Sequence, residues 1–152
     1  MNAHEKDFNA YTVGEVIPAP SRTVTEADVV NFAGVSGDYH PLHLDETHAR
    51  ASEFGERIAH GMLTMSIMSG LMFSAGISSP YSMGFLGLND WKFAAPVYLG
   101  DTVTGRIEVA NKRETRRGDR GVVTFRLQII NRTRDDEVAC EGDWVQMYRK
   151  IE

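Results

Sequence analysis

The sequence predicts an α+β fold in which one long apolar helix packs against an antiparallel sheet. Two observations carry this prediction. Apolar residues recur at three- and four-residue steps over residues 58–74, which is the period of a helix. Three later segments, residues 102–110, 121–131 and 137–148, have the composition of strands and are separated by turn-like sequences. We therefore expect a central helix followed by an antiparallel meander.

Before the long helix, the sequence predicts a short strand and a first helix. Residues 21–24 alternate weakly between polar and apolar side chains, as a short strand would. Thr25 can cap the start of a helix, and Asp28 stands three residues later, where it can complete a capping box. Gly34 and Gly37 offer places for this helix to end.

A stretch without Asp, Glu, Lys or Arg extends over residues 58–89. It is long enough to span a bilayer, which needs about 20 apolar residues. However, it is rich in Ser, Gly and Thr, contains His60 and Pro80, and lacks a flanking Lys/Arg cluster. We predict instead a helix that is buried on all sides. Its methionines are expected to fill the core: Met62, Met65, Met68 and Met72.

Length, charge and cysteine content limit the classes of function. The 152 residues predict a single domain, residues 1–152. Twenty-one acidic against 16 basic side chains give a net charge of −5, which argues against nucleic acid as a partner. Cys140 is the single cysteine, so the sequence excludes an internal disulfide and a CxxC zinc site. Together with a polar N-terminus, residues 1–7, these features predict a cytoplasmic protein that does not enter a membrane.

The densest group of polar residues lies in a loop over residues 36–46. Pro41 is expected to prevent a helix through the middle of this loop. Asp38 and His43 stand on either side of the proline, and their side chains can converge on one point. A carboxylate beside an imidazole can activate a water molecule or move a proton to and from carbon. The alternative is a solvated turn in which the Asp caps the backbone.

A second candidate feature is the start of the long helix, where Gly61 follows His60. Backbone amides in the first turn of a helix have no partner within the helix, and the helix dipole favours negative charge there. Gly61 is therefore a candidate donor for an oxyanion that develops on a thioester carbonyl. The alternative is a glycine required only for close packing against the sheet.

Two further clusters have side chains that could form a site. His40, His43, Asp45 and His48 are crowded together and have ligand types that suit a transition metal, but their spacing matches no known metal motif, and we predict no metal. The second is a basic cluster of Arg113, Arg116, Arg117 and Arg120. These side chains could bind the phosphates of coenzyme A, or they could lie at a solvated hairpin tip. The hairpin tip is the favoured interpretation.

Three segments resemble the MaoC-like dehydratases and (R)-specific enoyl-CoA hydratases. The sequence SGDYHPLH at residues 36–43 is similar to the hydratase-2 signature of that family. The resemblance continues through RIAHGML at residues 57–63 and APVYLGDT at residues 95–102. In order and spacing it covers about residues 10–148. One position departs from the family pattern, because His40 stands where the family usually has Asn.

The resemblance implies a hot-dog fold, in which a sheet curls around one long helix. It also implies that Asp38 and His43 activate the water that adds to carbon 3 of a trans-2-enoyl-CoA, giving an (R)-3-hydroxyacyl-CoA, or catalyse the reverse dehydration in fatty acid metabolism. Gly61 would be the oxyanion donor, and Ser69 would support the site from the helix. We group His60 with Gly61 and Ser69 as residues that bind the substrate or its oxyanion. No cofactor is expected.

Two other functions stay open for such a fold. A hot-dog thioesterase would hydrolyse the thioester, and a binding module would hold acyl-CoA without reaction. The Asp38/His43 pair favours the hydratase, because the water must be aimed at carbon 3. A single hot-dog sheet also leaves an exposed edge, so we expect a homodimer or a higher homo-oligomer.

Overall fold

A computed structural model describes residues 5–151 of the chain, and residues 1–4 and 152 lie outside the described part. The described residues form one five-stranded sheet in the order β1-β3-β4-β5-β2, and all neighbouring strands are antiparallel. The strands are β1 (Val16–Thr23), β2 (Ser82–Phe93), β3 (Thr102–Glu114), β4 (Arg120–Asn131) and β5 (Glu137–Arg149).

Four α-helices and a short 3-10 helix (Phe8–Ala10) accompany the sheet in the described residues. The α-helices are α1 (Glu26–Ser36), α2 (Pro41–Leu44), α3 (Glu46–Arg50) and α4 (Gly61–Ser74). The predicted α+β class is confirmed. The sheet and α4 share one hydrophobic core, and this arrangement is the hot-dog fold that the resemblance implies.

The sheet confirms the three predicted C-terminal strands but also contains strand β2, which the sequence pattern did not predict. Irregular pairing explains why β2 was missed. Its register against β5 shifts at Gly84 and at Gly87, so its side chains do not alternate cleanly between the two faces. Strand β1 is also longer than the predicted residues 21–24. It contains Pro18 and Pro20, which an edge strand tolerates because one side of its backbone needs no partner.

Helix α1 begins as the sequence predicts. The Thr25 hydroxyl accepts a hydrogen bond from the Asp28 amide at 3.2 Å, and the Asp28 carboxylate accepts one from the Thr25 amide at 2.8 Å. This reciprocal pair is a capping box. The helix ends at Gly37, whose φ of 76° is left-handed and whose amide donates to the Ala33 carbonyl at 2.8 Å.

The loop between α1 and α4 contains more helix than the sequence predicted. Pro41 was expected to exclude helix, but it occupies the first position of α2, where its missing N–H costs nothing. Asp45 then caps α3, because its carboxylate accepts hydrogen bonds from the amides of Thr47 and His48 at 2.8 and 3.0 Å. The loop is therefore held by two short helices rather than by irregular backbone.

Helix α4 is buried on one side only, so the prediction of a helix buried on all sides is wrong for a single chain. Met68 and Met72 are fully buried in the core, whereas Met62 is 54% exposed. The buried side lies very close to the sheet: a Cβ atom at Gly105 on β3 would lie 2.7 Å from the Met68 methyl carbon. Gly105 therefore permits this close packing. Within residues 5–151, no helix is both long and apolar enough to cross a membrane.

Candidate active site

Three chemically active side chains meet where the α1–α4 loop reaches the start of α4. Asp38, His43 and His60 each offer a side-chain oxygen or nitrogen atom, and these atoms lie within 4.8 Å of one another. Asp38 is exposed, His43 is half-buried and His60 is only 2% exposed. The structure thus brings together the Asp–His pair that the sequence singled out.

A hydrogen bond to the backbone fixes the orientation of the His43 ring. Its Nδ1–H donates to the Ile58 carbonyl oxygen at 2.8 Å, since a carbonyl can only accept. The proton of the neutral ring is therefore on Nδ1, and Nε2 carries the lone pair that can accept a proton. The His43 carbonyl is held in turn by Arg57, whose Nε donates to it at 2.8 Å. Arg57 also donates to the Glu26 carboxylate at 2.7 Å, which ties the loop to α1.

The surroundings of His43 favour the neutral form of its imidazole. Its pKa is lowered from the usual value of 6.5, first because partial burial penalises the charged ring. The hydrogen bond to Ile58 acts in the opposite direction, and so does the charge of Asp38, whereas His60 and His40 lower the pKa further. A neutral imidazole near pH 7 is the form that a general base requires.

His60 contacts both His43 and Asp38. Its ring stacks on that of His43, with centroids 3.8 Å apart and planes inclined by 29°. Its Nε2–H donates to the Asp38 backbone carbonyl at 2.9 Å. The other ring nitrogen, Nδ1, is buried and has no partner among the described residues. The sequence placed His60 among the substrate-binding residues, but its burial gives it little surface that a ligand could touch.

The first turn of α4 lies beside this cluster. His60 occupies the N-cap position of α4, but its side chain makes no capping bond. The backbone amides of the first turn therefore have no capping partner in the His60 side chain and can donate to a ligand. A Cβ atom at Gly61 would lie 3.1 Å from the Phe93 ring, which shows that close packing also favours glycine here. Gly61 borders a cavity of about 310 Å³ that is otherwise lined largely by apolar residues, among them Phe93 and Val97.

Ser69 is not brought to the cluster within one chain. It lies eight residues after Gly61 on α4, which is about 12 Å along the helix axis at 1.5 Å per residue. Its side chain is exposed, and its hydroxyl donates to the Ser66 carbonyl at 2.7 Å. A supporting role for Ser69 stays a prediction.

A buried polar network that the sequence analysis gave no role supports the loop. The Asp101 carboxylate, 3% exposed, accepts hydrogen bonds from Asn131 at 2.7 Å, from Arg134 at 2.9 Å and from the Tyr98 amide at 3.0 Å. Tyr98 forms an isolated β-bridge with Ile58, the residue whose carbonyl orients His43. Asp101 and Tyr98 lie in the third segment of the family resemblance, and only that resemblance marked them.

The four candidate metal ligands of the sequence analysis do not form a group of closely spaced donor atoms among the described residues: His40, His43, Asp45 and His48. Asp45 uses its carboxylate to cap α3, and His40 uses Nδ1 to accept a hydrogen bond from the Leu42 amide at 3.2 Å. The donor atoms of Asp38, His43 and His60 are close enough for a cation. His43 and His60 each use one ring nitrogen in a hydrogen bond to a backbone carbonyl oxygen, so one ring nitrogen of each remains for a ligand or a proton.

The basic cluster lies at the far end of the sheet. Arg113 is near the end of β3, and Arg116 and Arg117 lie in the β3–β4 turn, whereas the site is near the first residues of β3. The two ends of β3 are twelve residue steps apart, which is about 40 Å at 3.3 Å per residue. These three side chains are exposed, as expected for a solvated hairpin tip, whereas the fourth, Arg120 at the start of β4, is half-buried and pairs with Asp119.

Known proteins share this fold and part of this sequence. Protein MaoC from Klebsiella aerogenes is 38% identical over 112 residues, which are 74% of this chain and 33% of that protein, so this chain matches about one third of its length. An (R)-specific enoyl-CoA hydratase from Aeromonas caviae is 34% identical over 82% of this chain and 87% of the hydratase. A solved Archaeoglobus structure, described as a monoamine oxidase regulatory protein, has a TM-score of 0.88 and 33% identity, with 97% of each chain covered.

The fold and the site together define a hot-dog protein with an Asp–His pair at the tip of its central helix. The family model described as MaoC like domain matches residues 8–130, which is most of the chain. The chain belongs to the MaoC-like dehydratase family.

Proposed function

We propose that this protein adds water reversibly to a trans-2-enoyl-CoA to give an (R)-3-hydroxyacyl-CoA. The observation that carries the proposal is the convergence of the Asp38 carboxylate and the His43 imidazole within 4.8 Å, beside the first turn of α4. Relatives named (R)-specific enoyl-CoA hydratase and 3-hydroxybutyryl-CoA dehydratase support the same reaction.

The proposed reaction needs a water molecule held between Asp38 and His43. His43 Nε2 accepts a proton from the water as the oxygen bonds to carbon 3 of the enoyl group. The π electrons move toward carbon 2 and the thioester oxygen, where the Gly61 amide stabilises the developing enolate. A proton from the Asp38/His43 pair then reaches carbon 2. Dehydration follows the same steps in reverse, and the proposed reaction uses no cofactor.

The surroundings of Gly61 offer space for an acyl group. The 310 Å³ cavity beside it is lined mostly by apolar residues, which include residues 94–97 directly after β2, and its size is within the range of small-molecule pockets. Its wall is continuous with the helix tip that would bind the thioester oxygen. We infer that a short acyl chain enters this cavity while its carbonyl faces the amide of Gly61.

Hydration of crotonyl-CoA by the purified protein tests this function. We expect the enoyl absorbance to fall and (R)-3-hydroxybutyryl-CoA to form, because the Asp38/His43 pair faces carbon 3 in the proposed complex. The absorbance and the stereochemistry of the product are the measurements. Release of free thiol would indicate a thioesterase instead. Binding of crotonyl-CoA with unchanged absorbance would indicate a non-catalytic acyl-CoA binding module.

We propose that the protein works as a homodimer joined through the face that carries β2 and the exposed side of α4. Strand β2 is at one edge of the sheet and has no further strand beyond it among the described residues. Large apolar side chains are exposed along β2: Met83 40%, Phe85 52%, Leu86 52% and Phe93 52%. Met62 at the start of α4 is also exposed, and it follows Gly61, which lies against the ring of Phe93. A second copy would cover this apolar surface and the exposed edge. It would also shield Gly61 from bulk water.

Leu86→Asp is expected to shift the protein from dimer to monomer, because a carboxylate at this position would lose its hydration in the interface. Light scattering at micromolar concentration measures the mass. Val13→Asp is the matched control, since Val13 is exposed to a similar degree, 54%, but lies outside the proposed face. A monomeric native protein, or a Leu86→Asp variant that keeps the dimer mass, would contradict the proposed interface.

A further inference from the structure

His40 makes two hydrogen bonds that hold the two proposed catalytic residues. Its backbone N–H donates to the Asp38 carboxylate oxygen Oδ1 at 3.2 Å. Its ring nitrogen Nδ1 accepts from the amide of Leu42 at 3.2 Å, which makes His40 the N-cap of α2. His43 lies in the last turn of this helix. One residue therefore anchors the carboxylate on one side and the helix that carries the imidazole on the other.

The capping bond depends on the protonation state of His40. An amide N–H can only donate, so Nδ1 can accept from Leu42 only while it carries no proton. A protonated ring would place an N–H against the N–H of Leu42, and the cap would be lost. An Asn side chain can cap by accepting the same bond with its amide oxygen, which does not titrate in this range. Histidine thus makes the cap sensitive to acid, whereas Asn would not.

The titratable groups that face His40 come from three elements. Asp38 belongs to the preceding loop and is joined to it through the backbone. His43 of α2 lies with its ring centroid 6.0 Å from that of His40, and His48 of α3 lies at 6.1 Å, both in edge-on geometry. The ring is exposed, so it exchanges protons with solvent directly.

We propose that His40 is a positioning residue that caps α2 only in its neutral form and so sets the acid limit of the activity through His43. The inference rests on the proposed hydratase function for its kinetic readout. Acid acts on the activity in two ways: it protonates the base His43, and it removes the cap that holds α2. The His40→Asn variant separates the two effects, because it restores the cap with a side chain that takes up no proton in this range and leaves His43 in place.

Two variants of His40 and one control separate these effects through the pH profile of crotonyl-CoA hydration. We expect His40→Asn to keep kcat/KM within about threefold of the native value at pH 8, because Asn restores the cap. Its acid limb should lie at lower pH than the native limb, so its kcat/KM relative to the native protein rises by about threefold or more between pH 8 and pH 5.5. His40→Ala should lose about five- to tenfold in kcat at pH 8, with little change in KM.

The control is His48→Asn, which removes the neighbouring imidazole at 6.1 Å but no capping bond. It should leave the acid limb where it is in the native protein. Superimposable pH profiles for native protein and His40→Asn would overturn the proposal. An equal shift in His48→Asn would also overturn it, because a general charge effect would then explain the limb.

A measurement independent of activity keeps this inference separate from the proposed function. Hydrogen exchange of the Leu42 amide, followed by NMR, reports the capping bond itself. Relative to His40→Ala, the native protein should protect this amide at pH 7.5 and lose the protection by pH 5, whereas His40→Asn should retain it throughout. Equal exchange in native protein and His40→Ala at pH 7.5 would refute the cap, whatever the chain does to crotonyl-CoA.

Discussion

Replacing Asp38 by Asn or His43 by Ala is expected to lower kcat for crotonyl-CoA hydration by about two to four orders of magnitude, the range supplied by general acid–base groups. Asp38→Asn keeps the size of the side chain but removes the charge that holds and polarises the water. His43→Ala removes Nε2, the proposed proton acceptor. Initial rates at saturating substrate, with circular dichroism to confirm the fold, are the measurement.

The matched control for the carboxylate is Asp45→Asn in the same loop. Asp45 caps α3 and makes its hydrogen bonds to Thr47 and His48, away from the cluster of Asp38, His43 and His60. Its replacement should change kcat by less than about threefold, because Asn is an equally good capping residue. The site assignment would be wrong if Asp38→Asn and His43→Ala kept near-native rates in folded protein.

Replacing His60 by Ala is expected to lower kcat by about 100-fold and to leave KM within about threefold. His60 stacks on the His43 ring at 3.8 Å and donates to the Asp38 carbonyl at 2.9 Å, so its loss releases both groups at once. A displacement of about 1 Å at a catalytic group can cost 100-fold in rate. Steady-state kinetics with crotonyl-CoA separate the two constants.

His60→Phe is the informative companion variant, because it keeps a ring against His43 and removes only the hydrogen bond to Asp38. We expect its kcat to lie between those of the native protein and His60→Ala. The opposite pattern, a raised KM with unchanged kcat, would support the substrate-binding role that the sequence suggested for His60. It would contradict the positioning role that its 2% exposure favours.

Local sequence signals predicted those parts of the fold that depend on neighbouring residues. The capping box of Thr25 and Asp28 formed as the spacing predicts, since both partners lie within one turn. The β3–β5 meander followed from strand-like composition and clear turns. By contrast, β2 is held by its pairing with β5 and has bulges near Gly84 and Gly87, so its pattern is not that of a regular strand.

The proximity of Asp38 and His43 was predictable from the sequence, but the contacts that hold the two residues in place were not. Asp38 and His43 were found because both lie in one short loop with a proline between them. The hydrogen bond from His43 to Ile58 and the bridge from Ile58 to Tyr98 join segments 15 and 40 residues apart in sequence. Such contacts depend on tertiary packing, which no local pattern encodes. The exposed side of α4 was missed for a related reason, because apolar composition does not show which side of a helix packs against the sheet.

The most direct measurement of the shared role of Asp38 and His43 is the kcat of the double variant Asp38→Asn/His43→Ala. If the two side chains activate one water molecule together, the double variant should be no slower than the slower single variant, within about threefold, because residues that act as a unit are strongly non-additive. If instead the two single losses multiply in the double variant, the groups act independently, and a water held jointly by carboxylate and imidazole is contradicted.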